Sequence, residues 1–164
     1  MPEREVISNT SPLLYLHQVG QLDLLQHLYG RVIVPPAVRE ELRVGAERGV
    51  STPDVDQVPW LEVRVPVERA LLPMVTDLGA GEAEVIALGL ASPGSLLILD
   101  DALGRRIAHL LDLTYTGTLG VLVRAKKQGH LAAIRPVVQA LQERTNMRLR
   151  GDLVERVLTE AGEA

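Results

Sequence analysis

The chain lacks cysteine and phenylalanine, and its 164 residues include one tryptophan and three tyrosines. Without cysteine, disulfide bonds and thiolate metal sites are excluded. So few aromatic rings argue against a stacking surface for the bases of a single-stranded nucleic acid. The four histidines are scattered and show no paired spacing. A metal site in this chain would therefore have to be built from oxygen ligands.

Long apolar runs and an excess of positive charge are also lacking. No apolar run approaches the ~18 residues that a membrane helix needs. The first residues, MPEREV, do not have the basic and apolar regions of a signal peptide. We therefore expect a cytoplasmic protein with no membrane contact.

The net charge is −4, whereas proteins that bind nucleic acid through many phosphates are usually basic. Binding to RNA would have to use a local basic patch. Each candidate patch also fits an ordinary solvated helix face. The candidates are Arg105 with Arg106, Arg124 with Lys126 and Lys127, and Arg144 with Arg148 and Arg150.

Short apolar segments alternate with helical patterns, which predicts a single α/β domain over residues 1–164, with a central, mostly parallel sheet flanked by helices. The glycine-, proline- and aspartate-containing segment 45–58 has no periodicity and is expected to be a mobile surface loop. Strands are expected at residues 6–8, 32–34, 61–65, 95–99 and 114–116. Helices are expected at about 11–19, 22–29, 36–44, 67–78, 81–91, 101–111, 119–128, 134–146 and 151–161.

Polar residues follow three of these strands, at the end where open parallel sheets bind ligands. Residues 9–11 follow the first strand, Asp100 and Asp101 the fourth, and residues 116–118 the fifth. One aspartate is explained as a helix N-cap, and Asp101 also has the spacing of a helical ion pair with Arg105. The adjacent acid is then left over, and an acid just past a central strand suits a hard cation.

Two helices contribute further acids. In PPAVREEL, the apolar stripe defined by Val38 and Leu42 places Glu41 about 80° away and Glu40 nearly opposite. Glu41 is therefore the acid at the margin of the protein, although a plain surface carboxylate beside the core would show the same pattern.

The helix that begins near residue 81 has almost no polar face, which predicts burial on most sides. Glu82 and Glu84 at its start either complement the helix dipole or serve a site. Glu82 lies closer to the apolar stripe and is the preferred candidate. If Glu41, Glu82 and Asp101 converge, their repulsion requires a divalent cation, and an all-oxygen ligand set suits Mg²⁺ or Mn²⁺.

Five stretches occur in the order and spacing of a PIN domain: VISNTSPLLYL, LDLLQHLYGRVIVPPAVREEL, LGAGEAEVIALGLA, LLILDDALGRRIAHLLDL and TYTGTLGVLVRAKKQGHL. The chain resembles a PIN-like branch related to VapC-type toxin ribonucleases. The resemblance implies a three-layer fold and an Mg²⁺- or Mn²⁺-activated water that attacks an RNA phosphodiester. It also implies a homodimer paired with an antitoxin protein.

The acidic positions of the family can be carried over onto this chain one by one. The resemblance assigns the four metal-site positions to Asn9, Glu41, Glu82 and Asp101, with Asp100 as an auxiliary metal ligand. It also makes Thr10, Ser11 and Thr118 candidates for hydrogen bonding to metal-bound water or phosphate, although a threonine at the start of a helix also suits an N-cap.

Asn9 departs from the family pattern, which has an aspartate at this position. The amide still offers one oxygen to a cation but removes a negative charge, so metal affinity is expected to fall. Three functions remain open. The preferred one is a toxin-type endoribonuclease weakened by Asn9, and the second is a degenerate module that binds RNA or protein. Phosphoryl chemistry on a small molecule ranks last, because no second strand-end aspartate has a lysine nearby.

Overall fold

A sheet of five parallel strands, in the order β3-β2-β1-β4-β5, forms the centre of this computed structural model, which describes residues 4–67 and 77–163. All three residues are buried in β1, β2 and β4, as is typical of parallel strands covered on both faces. The strands are β1 (Val6–Ser8), β2 (Val32–Val34), β3 (Leu61–Val63), β4 (Leu96–Ile98) and β5 (Thr114–Thr116). The prediction of a three-layer α/β fold is confirmed, and every described strand pair is parallel.

Eight α-helices lie in the described ranges, together with a 3₁₀ turn at Val55–Gln57. They are α1 (Thr10–Gln18), α2 (Leu24–Tyr29), α3 (Pro36–Glu47), α4 (Ala80–Ala91), α5 (Ala102–Leu110), α6 (Thr118–Lys127), α7 (Arg135–Arg144) and α8 (Gly151–Glu160). Ile7, Ile33, Leu97 and Leu122 are almost fully buried in an aliphatic core. In this part of the chain no helix has both the length and the apolar character needed to traverse a bilayer.

The structure bears on two of the predicted segments, the loop at 45–58 and the helix at 67–78. The loop expected at 45–58 is wrong for its first three residues, because α3 continues to Glu47, where an ion pair from Arg43 at 2.5 Å supports the added turn. These residues are small or polar, so no apolar periodicity revealed the extension. Pro53 and Val55 are buried, so the later part packs against the protein. The helix expected at 67–78 falls almost entirely outside the described residues.

Helix α4 is buried on most sides, as its uniformly apolar sequence predicted. Gly89 lies directly against β4, since a methyl group there would meet the Leu97 side chain at 2.9 Å. At the other end of the helix, Glu82 accepts a hydrogen bond from Asn9, just after β1, and Glu84 accepts one from Ala37, near the end of β2. The start of α4 therefore lies near the carboxyl edge of the sheet.

The last described residue, Glu163, holds the C-terminal segment against α6 and α7. Its carboxylate accepts hydrogen bonds from the backbone N–H groups of Ile134 at 2.7 Å and Arg135 at 3.1 Å, and from Lys126 Nζ at 2.9 Å. The Ile134 N–H makes the largest contribution to a pKa of about 2 for Glu163, and Lys126 adds to it. The carboxylate is therefore ionised at neutral pH and caps the start of α7.

Glu163→Gln is expected to lower the free energy of unfolding at neutral pH, because the amide cannot carry the charge that these donors stabilise. The pKa of this group falls from 4.5 to about 2 on folding. Its stabilisation is therefore complete above pH 4.5 and is lost as the pH falls toward 2. Urea midpoints of wild type and E163Q should converge over that window. Glu155→Gln, an exposed change on α8, is the control, and a constant gap between wild type and E163Q would contradict the assignment.

Candidate functional site

The carboxyl ends of three strands bring the candidate residues to one edge of the sheet. Strand β1 pairs with β4 with Ser8 opposite Ile98, and the backbone N–H of Asn9 donates to the Ile98 carbonyl at 2.9 Å. Asn9 therefore lies beside the segment that carries Asp100 and Asp101. Strand β5 pairs with β4 on the other side and leads directly into α6.

Asn9 is the most buried of the candidate residues after Thr118, with 1% of its surface exposed. Its Nδ2 donates a hydrogen bond to Glu82 Oε1 at 3.0 Å. Its Oδ1 is buried and has no hydrogen-bond partner among the described residues. A buried acceptor without a donor is costly and uncommon, so this oxygen calls for a further partner such as a water molecule or a cation.

Glu41 meets Asn9 at the start of α4. The Glu41 carboxylate accepts hydrogen bonds from the Thr10 hydroxyl and, at 3.2 Å, from the Gly81 backbone N–H. A methyl group at Gly81 would lie 2.9 Å from Glu41 Oε1 and 3.1 Å from Asn9 Oδ1. Oxygens of both side chains therefore gather around the space that this glycine leaves open. Glu40 instead lies on the surface and pairs with Arg43 at 2.5 Å.

The two acids at the start of α4 have different surroundings. Glu84 accepts a hydrogen bond from the Ala37 backbone N–H at 2.8 Å and so ties α4 to the first turn of α3. Glu82 turns toward Asn9 and lines a groove at the sheet edge. Glu84 is thus explained by its hydrogen bond to the first turn of α3. Glu82 is the acid of α4 that belongs to the candidate site.

Asp101 is the N-cap of α5, and its Oδ2 accepts from the Gly104 N–H at 2.7 Å. Its i,i+4 neighbour Arg105 places its guanidinium 5.2 Å from the centre of the Tyr115 ring. The ion pair that the spacing allowed is therefore not part of the site.

The Asp100 carboxylate, which follows β4, forms hydrogen bonds with the first residue of α6. It accepts from the Thr118 backbone N–H at 2.8 Å and from the Thr118 hydroxyl at 2.6 Å. The reading of Thr118 as an N-cap is wrong, because Gly117 occupies the cap position and Thr118 is the first helical residue. The buried Thr118 hydroxyl donates to the Asp100 carboxylate and orients it.

Glu82, Asp100 and Asp101 line one groove of about 580 Å³, which we call the acidic groove. Ser11, Tyr15, Arg105, Tyr115 and Arg148 also line it. Burial, and after it the Asp100 carboxylate, raises the pKa of Tyr15, so its hydroxyl remains a hydrogen-bond donor at neutral pH.

The two tyrosines of the groove were not predicted from the sequence, because a count of aromatic residues does not locate them. One usable signal was that Tyr15 follows Ser11 by one helical turn, on the same face as a strand-end residue.

The donor set of this edge fits Mg²⁺ or Mn²⁺ in its chemistry, since amide and carboxylate oxygens are their preferred protein ligands. The orphaned Oδ1 of Asn9 supports that fit. In residues 4–67 and 77–163, however, no three His, Cys, Asp or Glu side chains are close enough to hold one ion. The four carboxylates of the site form two pairs. Glu41 and Glu82 lie near Gly81, whereas Asp100 and Asp101 follow β4. Each of the four accepts a hydrogen bond from a protein donor.

Fold and site together define an α/β protein with a parallel sheet and an acidic carboxyl edge. The chain matches the family DUF3368, described as a PIN domain, over residues 5–163, and it belongs to the PIN-domain family. PIN domains have a nuclease-like fold and generally use divalent metal ions. Comparison with curated proteins gives no match, and neither does comparison with solved structures.

Two substitutions of Asp101 distinguish the contribution of its capping hydrogen bond from that of its negative charge. Asp101→Asn should keep nearly the wild-type free energy of unfolding, because asparagine caps a helix as well as aspartate does. Asp101→Ala should lower it by about 1 kcal/mol. Urea titration measures both. Asp23→Ala is a matched control, because Asp23 occupies the N-cap position of α2 without a side-chain cap bond. Equal losses in D101A and D23A would show that the Asp101 cap contributes nothing.

Proposed function

We propose that this PIN-domain protein is a metal-dependent endoribonuclease of the VapC toxin type, with a metal site weakened by Asn9. The observation that carries the proposal is the buried, unpartnered Oδ1 of Asn9, which lies next to the Glu41 carboxylate while Nδ2 of the same amide bonds Glu82. An acceptor in that position suits a cation that is shared with the neighbouring acids.

In this proposal Asn9, Glu41, Glu82 and Asp101 hold Mg²⁺ or Mn²⁺, with Asp100 in an auxiliary role. The cation would polarise the scissile phosphodiester and lower the pKa of the attacking water. Because the two pairs of carboxylates accept hydrogen bonds from different protein donors, binding the ion requires rotation of side chains. Glu41 and Asp101 are exposed, so they can rotate toward an ion by giving up their present hydrogen bonds, whereas Asn9 is fixed by burial.

The remaining groups of the site orient ligands and bind phosphate. Thr10 donates to Glu41 and Thr118 to Asp100, so both hydroxyls position carboxylates. Ser11 lines the acidic groove and is the candidate donor to a phosphate. Arg105 and Arg148 supply positive charge on the wall of that groove, which attracts the RNA backbone toward the acids.

One observation favours a second function. The Asn9–Glu82 hydrogen bond satisfies an acid that would otherwise require a cation, so this edge is tolerable without metal. That arrangement suits a degenerate PIN module that binds RNA or protein without cleaving it. Robust cleavage by the wild-type protein would remove this alternative.

The ribonuclease proposal predicts Mn²⁺-dependent cleavage of single-stranded RNA by the wild type. Glu82→Gln and Asp101→Asn should each lower the rate by about a hundredfold or more, because each removes a charged ligand. Glu40→Gln changes a neighbouring surface acid and should cleave as the wild type does. The assay is gel electrophoresis of labelled RNA with Mn²⁺ or EDTA. Cleavage that survives in both E82Q and D101N would overturn the proposal.

Asn9→Asp tests the metal site without reference to activity. The new carboxylate replaces a hydrogen-bond donor to Glu82 with a like charge, so the metal-free variant should lose about 1–3 kcal/mol of unfolding free energy. Mn²⁺ should restore much of that loss and should bind more tightly than to the wild type. Thermal melting and isothermal titration measure these effects. A variant that is destabilised equally with and without Mn²⁺ would count against a cation at this position.

The proposal also includes a homodimer and an antitoxin partner, which the VapC resemblance implies, and the cytoplasmic location that is expected from the sequence. Light scattering of the purified chain tests the dimer directly, and co-purification from the native host tests the antitoxin.

A further inference from the structure

A second groove lies at the opposite end of the strands from the acids. It consists of two adjoining depressions of about 340 and 350 Å³ that share Arg4, Tyr29, Leu96 and Arg124, and we call it the basic groove. Leu96 and Thr114 are the first residues of β4 and β5, so this groove lies at the amino edge of the sheet.

The basic groove carries positive charge that the described residues leave largely unneutralised. The Arg4 guanidinium donates to the Gly94 carbonyl at 2.8 Å, and that of Arg124 lies 5.9 Å from the centre of the Tyr29 ring. Neither guanidinium forms an ion pair with a described carboxylate. Lys127 completes the set, with Glu160 only at 4.0 Å, whereas its neighbour Lys126 is neutralised by Glu163.

The two grooves meet along the edge strand β5. Both are lined by Thr116, Gly120 and Glu160. Helix α6 spans the interval from Thr118, at the acidic end, to Lys127, at the basic end, a length of about 14 Å at 1.5 Å per residue. No other described strand covers this side of β5. A continuous surface path therefore joins the acids to Arg4, Arg124 and Lys127.

We propose that a single RNA strand cut at the acidic groove continues over the β5 edge, so that Arg4, Arg124 and Lys127 bind its phosphates two or more nucleotides from the cut. This inference rests on the proposed ribonuclease function. A chain of net charge −4 needs local positive groups to retain a polyanion. The two ends of the path are a helix length apart, about 14 Å, so an extended backbone can contact both the acids and the basic groove, whereas one small anion cannot.

Glu160 places a negative charge on the path between the two grooves. It is the carboxylate in the shared section, and it faces Lys127. On this path Glu160 repels the RNA phosphates and lowers the effective positive charge of Lys127. Removing its charge should therefore strengthen binding, whereas removing Arg124 or Lys127 should weaken it.

The experiment measures binding of fluorescent single-stranded RNA in EDTA, so that cleavage does not interfere. Arg124→Gln and Lys127→Gln should each weaken binding of an RNA of about 16 nucleotides by roughly two- to fivefold and lower the salt dependence by about 0.7. Glu160→Gln should tighten it. A dinucleotide, whose one phosphodiester cannot extend over the ~14 Å from the acids to Lys127, should show no effect. Arg48→Gln, an exposed change at the end of α3 outside both grooves, is the control.

The possible outcomes distinguish failure of the proposed RNA path from failure of the proposed ribonuclease function. Cleavage by the wild type, with long-RNA binding that R124Q, K127Q and E160Q leave unchanged, overturns the path and retains the ribonuclease. Equal effects on short and long RNA also overturn it. If the wild type neither binds nor cleaves RNA, both proposals fail. The Lys127 side chain is 60% exposed, so K127Q reports on binding even if R124Q folds poorly.

Discussion

The parallel pairing of β1 with β4 is the constraint on which the rest of the site depends. It sets Ser8 beside Ile98, so that the residues after each strand emerge at the same edge. From there, the buried start of α4 supplies Glu82, and Gly81 lets Glu41 approach from α3. The site is thus assembled from strand ends and helix starts that are far apart in the chain, and the register of one strand pair fixes their common position.

Asn9 decides the electrostatic character of this edge. In the PIN pattern an aspartate here would add a charge beside Glu82, whereas the amide donates a hydrogen bond to it. The same amide retains an oxygen toward Glu41 and Gly81. One residue therefore relieves repulsion between acids and still offers a ligand, which explains why both a weakened nuclease and a binding module are consistent with this geometry.

Much of the fold was predictable because it depends on local patterns. The strands coincide with short apolar runs, and the uniformly apolar sequence of α4 predicted the burial of this helix. The helical phase that separates Glu40 from Glu41 also matches their observed surroundings. The contacts of Glu84 with Ala37 and of Asp100 with Thr118 were not predictable, because each joins elements whose approach is set only by tertiary packing. The same holds for the tyrosines of the acidic groove and for the path around β5.

The hydrogen bond between Asn9 and Glu82 has a consequence for the order of events in the life of the chain. Because Asn9 gives the Glu82 carboxylate a hydrogen-bond donor, the polypeptide can reach its native state in a metal-poor environment. For the proposed ribonuclease, maturation would then be complete before any cofactor arrives. The supply of divalent ions would then determine when the folded molecule begins to act.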